Sequence, residues 1–242
     1  MPRAIALPTA SDGRSSGQWP LSSSISAYLE AIWAATGTGT TSTKEIAARL
    51  SVSSASVTNM FVRLRKEGLV EYERYHGVSL TRRGCTEALK LVRRHRLLKT
   101  FLIEHLGYSW EEVCEETRTD EYLTSERFTE RLEQLLGHPL HDPQGAPIPQ
   151  ADGTLPPEDS YLLSEATAGQ RLRIRRVSDD SASRLDYLWE RGLVPGRELE
   201  VTETRTLDGV VTVEDEDGIS HVLGRPLACA IFVQGASEPA HG

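Results

Sequence analysis

Cysteine is scarce in this chain: three residues in 242, with four tryptophans and four phenylalanines. Cys85, Cys114 and Cys229 are odd in number, widely spaced and form no CxxC pair. That argues against a disulfide framework or a zinc knuckle and points to reduced thiols in a cytoplasmic protein. Apolar runs are short. None approaches the roughly 18 residues that a membrane helix needs. Met1–Pro20 carries Arg3 and Arg14 but no continuous apolar stretch, so it does not read as a secretory leader. There is no P-loop, no HExxH and no Ser/His/Asp order, and nothing supports catalysis. Internal repeats are missing as well.

A positive net charge is also lacking. The formal charge is −8, which looks wrong for a partner of nucleic acid. The charge is unevenly placed, however. Ser24–Leu106 holds 13 Lys/Arg against 7 Asp/Glu, whereas Gly107–Asp159 holds 3 against 13 and Tyr161–Gly242 holds 9 against 14. One basic block beside two acidic ones implies that a single segment meets a polyanion. Hydrophobic residues at 38% and charged residues at 26% suffice for a packed core, and the length allows two or three domains.

Residues 1–22 are rich in Ser, Gly and Pro and read as a flexible tail. Ile25, Tyr28, Leu29, Ile32 and Trp33 then recur at helical spacing, stopped by Thr36-Gly37-Thr38-Gly39. A second helix opens at Ser42 with Glu45 at capping-box spacing and Ile46, Ala47 and Leu50 as its apolar stripe. A third is capped by Ser53, buries Val57, Met60, Phe61 and Leu64, and ends at Gly68. Two β-like runs flank His76-Gly77 as a hairpin. Thr81 opens a long helix ending near Leu106, and Ser109 and Thr124 or Ser125 open two more. Asp142–Pro149 is a Pro-fixed connector. From Leu163 the texture is β. Candidate strands are Leu172–Val177, Glu198–Val201, Val210–Val213 and Ala228–Val233, with a short helix at Leu185–Arg191 and turns at Asp208-Gly209 and Asp217-Gly218.

Two short helices joined by a tight break and followed by a β-wing make a winged helix-turn-helix, whose third helix enters the major groove of double-stranded DNA. Its outward residues should be small and polar. Ser53, Ser54, Ser56, Thr58 and Asn59 meet that need, and Asn59 can pair with an adenine edge. Arg63 and Arg65 suit phosphates, and the wing offers Arg74, Tyr75 and His76. The plainer reading of the same stretch is a small helical bundle with a solvated polar face. The order of elements, the wing and the local positive balance speak against it.

At this point the chain resembles the diphtheria-toxin-repressor family of metal-dependent transcriptional regulators, from about Ser24 to Gln234. The carrying segments are Ala27–Ile32, Val57–Leu64, Gly68–Tyr75, Arg94–Leu98, Asp142–Pro149 and Arg191–Gly196. The resemblance implies a mainly α protein with β. The expected parts are a winged helix (23–82), a helical dimerisation and metal-binding-type domain (83–150), a linker (151–162), a FeoA-like, Src-homology-3-like small β-barrel (163–235) and a tail (236–242). It also implies a metal site whose ligands are largely replaced. At the ancillary positions His95 is kept, Lys99 stands for a Glu, Cys114 stands for a His, and the barrel positions fall near Ser181 and Arg184. At the primary positions stand Ala27, Arg118, Glu121 and Tyr122, and Glu30 matches an acid of the manganese-type members. His95, Cys114, Glu121 and Glu30 are therefore the surviving candidate ligands, for Mn²⁺, Fe²⁺ or Zn²⁺ if for any metal.

Each has a bland counterpart: a hydrogen-bonded core histidine, a buried thiol, and, along Glu111–Glu116, a solvated acidic face. Lys99 and Arg118 are expected to pair with Glu121, Glu30 and Glu115, replacing the cation by a fixed clamp. The reading is a repressor acting as a homodimer, its interface built on Leu123, Phe128, Leu132, Leu135, Leu136 and part of the long helix. The domain after Pro149 is expected to modulate rather than support the fold. Two alternatives stand beside this reading: a thiol sensor using Cys114 or Cys85, and a protein-interaction module acting through the barrel.

Overall fold

The computed structural model describes residues 23–37, 39–116, 125–178, 181–205 and 207–236. The first unit comprises α1 (Ser23–Thr36), α2 (Thr43–Leu50), α3 (Ser54–Lys66), β1 (Val70–Glu73) and β2 (Gly77–Leu80). Ser42 Oγ accepts from the Glu45 amide and Ser53 Oγ from the Ser56 amide, so each short helix has a donor-satisfying start. Glu45 does not complete a capping box: its carboxylate accepts from Thr41 Oγ1 at 2.7 Å. Leu29, Ile32, Ile46, Val57, Phe61 and Leu64 are fully buried together. Phe61 meets the Tyr28 ring edge-on at 6.4 Å and the Tyr72 ring at 5.2 Å. The wing is tied to the turn before α2. Thr41 and Val78 exchange both backbone hydrogen bonds at 2.9 Å. Gly77 sits at φ 97°, where an added Cβ would lie 2.5 Å from the Thr41 carbonyl oxygen, so only glycine lets the wing approach this closely.

The second unit comprises α4 (Arg82–Leu106), α5 (Trp110–Glu116) and α6 (Glu126–Leu135). Thr81 caps α4, Gly107 ends it at φ 72°, and Ser109 and Glu112 cap α5 reciprocally. Leu97, Leu98, Leu102, Val113, Leu132 and Ile148 form its core. Leu132 is therefore spent inside the chain, against its expected place in an interface. Phe128 and Leu135 do face outward, at 45% and 62% exposure, while Leu136 packs partly on the core. Leu123 lies outside the described residues.

The connector is strapped to α4. Arg93, Arg96 and Lys99, three residues apart, share one helix face. Arg93 donates to the Pro149 carbonyl at 2.8 Å and to Glu133, and Arg96 donates to the Pro147 carbonyl. Lys99 donates to Gln144 and pairs with Asp142. Prolines leave carbonyls without adding donors, so three cationic side chains suit this segment.

The third unit is a six-stranded antiparallel sheet of order β3-β8-β4-β5-β6-β7. Its elements are β3 (Tyr161–Leu162), β4 (Arg171–Val177), α7 (Ala182–Glu190), β5 (Glu198–Arg205), β6 (Val210–Asp215), β7 (Ser220–Leu223), α8 (Arg225–Ala228) and β8 (Ile231–Gly235). Bulges at Ile174/Arg176 and Val201/Glu203 bend the strands around an apolar core. Ala228, expected to begin a strand, instead ends α8. Pro226 in the first turn favours that helix, and the strand starts at Ile231. β3 and β7 were not expected. Trp110 of α5 is 5% exposed and belongs to this third core, edge-on to Trp189 at 5.7 Å. Among the described residues no helix is long and apolar enough to cross a membrane.

Candidate nucleic-acid interface

The face of α3 away from the core carries the expected polar residues. Ser53, Ser54, Ser56 and Asn59 are exposed and Thr58 is half-buried. Three of the hydroxyls are engaged locally: Ser53 and Ser56 with each other at 2.9 Å, and Thr58 with the Ser54 carbonyl at 2.9 Å. Asn59 makes no side-chain hydrogen bond among the described residues, so both its donor and its acceptor remain for a partner. Arg63 donates to Glu67 at 3.1 Å across an exposed i,i+4 pair. Such a pair is weak in water and exchanges readily for a phosphate.

Beside this helix an open cleft of about 960 Å³ runs between α2, α3 and the wing. Its walls include Thr40, Thr43, Lys44, Arg65, Tyr72 and Arg74. Arg65 donates to the Tyr72 carbonyl at 3.3 Å, which holds its guanidinium along the cleft. At the wing tip Tyr75 is 90% exposed at φ 72°, a left-handed backbone that a bulky residue rarely adopts. The Arg74 guanidinium lies 5.2 Å from the centre of its ring. Lys44 of α2, Arg65 of α3 and Arg74 of the wing thus line one open cleft. Thr40, Thr43 and Lys44 escaped the sequence reading, although a Thr-rich run with a lysine at a helix start was a usable signal.

The metal-type residues are only partly brought together. His95 Nδ1 on α4 lies 2.5 Å from Glu30 Oε1 on α1, without hydrogen-bond alignment. Glu30 Oε1 and His95 Nε2 are both buried with no hydrogen-bond partner. Orphaned buried polar atoms mark a missing ligand or water, and a carboxylate beside an imidazole suits a divalent cation. No cluster of three such donors exists among the described residues. Arg118, Glu121, Tyr122 and the Cys114 side chain lie outside them. Ala27 is exposed and donates nothing. Ser181 and Arg184 stand at the start of α7, and Ser181 Oγ bonds Ser183 at 3.0 Å.

Of the three carboxylates expected in the Lys99 clamp, only Glu30 lies among the described residues, and its partner there is His95. Lys99 turns instead to the connector. Its Nζ lies 2.5 Å from Asp142 Oδ2, a carboxylate with no side-chain exposure that needs a cation at close range. The Glu115 side chain lies outside the described residues. The thiol alternative is not favoured either. Burial pushes the Cys85 thiol upward, away from reactive thiolate. The Cys114 side chain lies outside the described residues, and Lys99 is paired with Asp142.

Fold and face together define a winged-helix, DNA-binding transcriptional regulator. Residues 20–78 match the iron-dependent repressor N-terminal DNA-binding domain, residues 81–150 the iron-dependent repressor metal-binding and dimerisation domain, and residues 161–235 the FeoA domain. The iron-dependent repressor IdeR of Mycobacterium tuberculosis is 30% identical over 220 residues, covering 86% of this chain and 95% of that protein. The diphtheria toxin repressor of Corynebacterium diphtheriae is 25% identical over 216 residues, 81% of this chain and 93% of that one. A manganese-dependent transcriptional repressor in complex with manganese superposes with a TM-score of 0.80 at 36% identity, covering 88% of this chain and all of that one. The chain belongs to the iron-dependent, diphtheria-toxin-repressor family of transcriptional repressors. Its relatives are repressors rather than enzymes or pure interaction modules.

Proposed function

We propose that this protein represses transcription by binding palindromic double-stranded operator DNA as a homodimer, with α3 in the major groove. The observation that carries the reading is the exposed polar face of α3, with Asn59 unpaired and flanked by the Lys44–Arg65–Arg74 cleft. Asn59 reads a base edge, Ser54 stands at the helix start that enters the groove first, and Lys44, Arg63, Arg65 and Arg74 neutralise phosphates. The outward apolar residues Phe128 and Leu135 supply part of the subunit contact, because one recognition helix reads too little sequence alone.

Regulation rests on the contact between α1 and α4. Glu30 and His95 are the two donors that would hold a divalent cation there, with further ligands from Glu121 and Cys114. A bound cation would supply charge neutralisation for Glu30. Glu30 and His95 then fix α1, and with it the whole winged helix, against the long helix. Imidazole and carboxylate accept Mn²⁺, Fe²⁺ or Zn²⁺, and a Cys114 thiolate would favour Zn²⁺. The test is selection of genomic fragments by the full chain in chelator and in each of these metals. Enrichment of a common palindrome is expected, strengthened by metal and weakened by His95→Ala. No enrichment in any condition refutes the DNA reading. Enrichment indifferent to metal and to His95→Ala refutes the metal reading alone.

A further inference from the structure

The junction between α4, the connector and the β-domain is organised around one ammonium group. Lys99 Nζ lies 2.5 Å from Asp142 Oδ2, 2.5 Å from Gln144 Oε1 and 5.9 Å from the centre of the Trp110 ring. The Asp142 side chain has no solvent exposure. Its Oδ1 accepts the Gln144 and Ala146 amides, both at 2.9 Å, while Oδ2 has no hydrogen-bond partner and only the ion pair with Lys99. The residues that Lys99 grips are the ones that meet the β-domain. The Gln144 carbonyl accepts the Val177 amide of β4 at 2.8 Å. Gly145, at φ 81°, lies so close to β4 that an added Cβ would be 2.0 Å from the Arg175 carbonyl oxygen. Trp110, above the ammonium, is buried in the β-domain core. A cation therefore holds a buried carboxylate, an amide oxygen and an aromatic face at the point where two units join.

We infer that Lys99 is the resident cation of this junction and that docking of the β-domain needs no metal ion. A buried carboxylate requires a positive partner, and a lysine on α4 provides one permanently. An ammonium beside these oxygens also disfavours a divalent ion through like-charge repulsion. Metal response is then confined to the proposed site around Glu30 and His95 between α1 and α4, and the β-domain stays attached whatever the metal supply. The inference does not depend on the DNA reading, since docking is observable without DNA.

Hydrogen exchange of the full chain tests it, through segments 140–150 and 171–178, which contain the Gln144, Ala146 and Val177 amides. In the unmodified protein their protection is expected to be present in chelator and to change less than about twofold on adding Mn²⁺. Lys99→Met should speed their exchange at least about tenfold, while the amides of α3 and β6 stay protected. Lys99→Glu places a third oxygen donor beside Asp142 and Gln144. Exchange should be fast in chelator and slow again in Mn²⁺. The inference is overturned if chelator removes the protection in the unmodified protein, if Lys99→Met leaves it unchanged, or if Mn²⁺ fails to restore it in Lys99→Glu. Should Lys99→Met not fold, the unmodified protein and Lys99→Glu decide the matter by themselves.

Discussion

Removing one wing cation should change the salt dependence of DNA binding by a calculable amount. Lys44, Arg63, Arg65 and Arg74 are the exposed cations assigned to phosphates around the α3 face. Two protomers then neutralise roughly eight phosphates, which gives a slope of log affinity against log salt near −7 at about −0.9 per contact. Raising salt from about 50 to 200 mM should weaken binding roughly 10⁴-fold. Arg74→Ala removes about two of those contacts and should flatten the same fall by about tenfold. Fluorescence anisotropy on a random-sequence duplex of about 30 base pairs suffices, because this term is sequence-independent. Asn59→Ala on the same duplex should leave the slope alone, since a base contact releases no counterion. A slope shallower than about −3, or one that Arg74→Ala does not change, refutes the assignment of these side chains to phosphates.

Three further outcomes follow from the packing. Phe61→Ala leaves a cavity between Tyr28 and Tyr72 and should cost about 3–5 kcal/mol, read from urea denaturation; a loss under about 1 kcal/mol contradicts a filled core. The His221 hydrogen bond, then backbone amides and Arg197, holds the Asp215 carboxyl well below the usual carboxylate range. A depressed folded-state value stabilises above the unfolded value of about 4 and is lost as pH falls below it. Asp215→Asn should therefore lower β-domain stability at neutral pH and flatten its acid decline, and parallel acid curves for both proteins contradict this. Truncation after Pro149 uncovers Trp110 and should lower the melting temperature of the helical unit while the winged helix, whose core holds no β-domain residue, stays folded; an unchanged melt contradicts it.

The winged helix was legible because its signals are local. Ser42 and Ser53 cap helices whatever the tertiary context, and Val57, Phe61 and Leu64 repeat at the helical period. Ala228 misled because the apolar run to Val233 suits a strand, and only Pro226 two residues earlier announces the helix. β7 stayed hidden since Ser220–Leu223 is short and its pairing with β6 is settled by the turn at Gly218. Lys99 was recognised as an intruder at a ligand position, but its partner is 43 positions away in the chain. Spacing along one helix shows that Arg93, Arg96 and Lys99 share a face and cannot show what lies on it. Trp110 likewise belongs by sequence to the helical unit and by packing to the next one.

The central claim is that α3 reads operator bases in the major groove of a two-fold site. Footprinting of the full chain on a fragment enriched from genomic DNA tests it most directly, with Asn59→Ala alongside. Two protected half-sites about one helical turn apart are expected, with Asn59→Ala losing base preference within them and keeping backbone protection. Uniform protection without half-sites, or a pattern that Asn59→Ala leaves intact at every base, would contradict it.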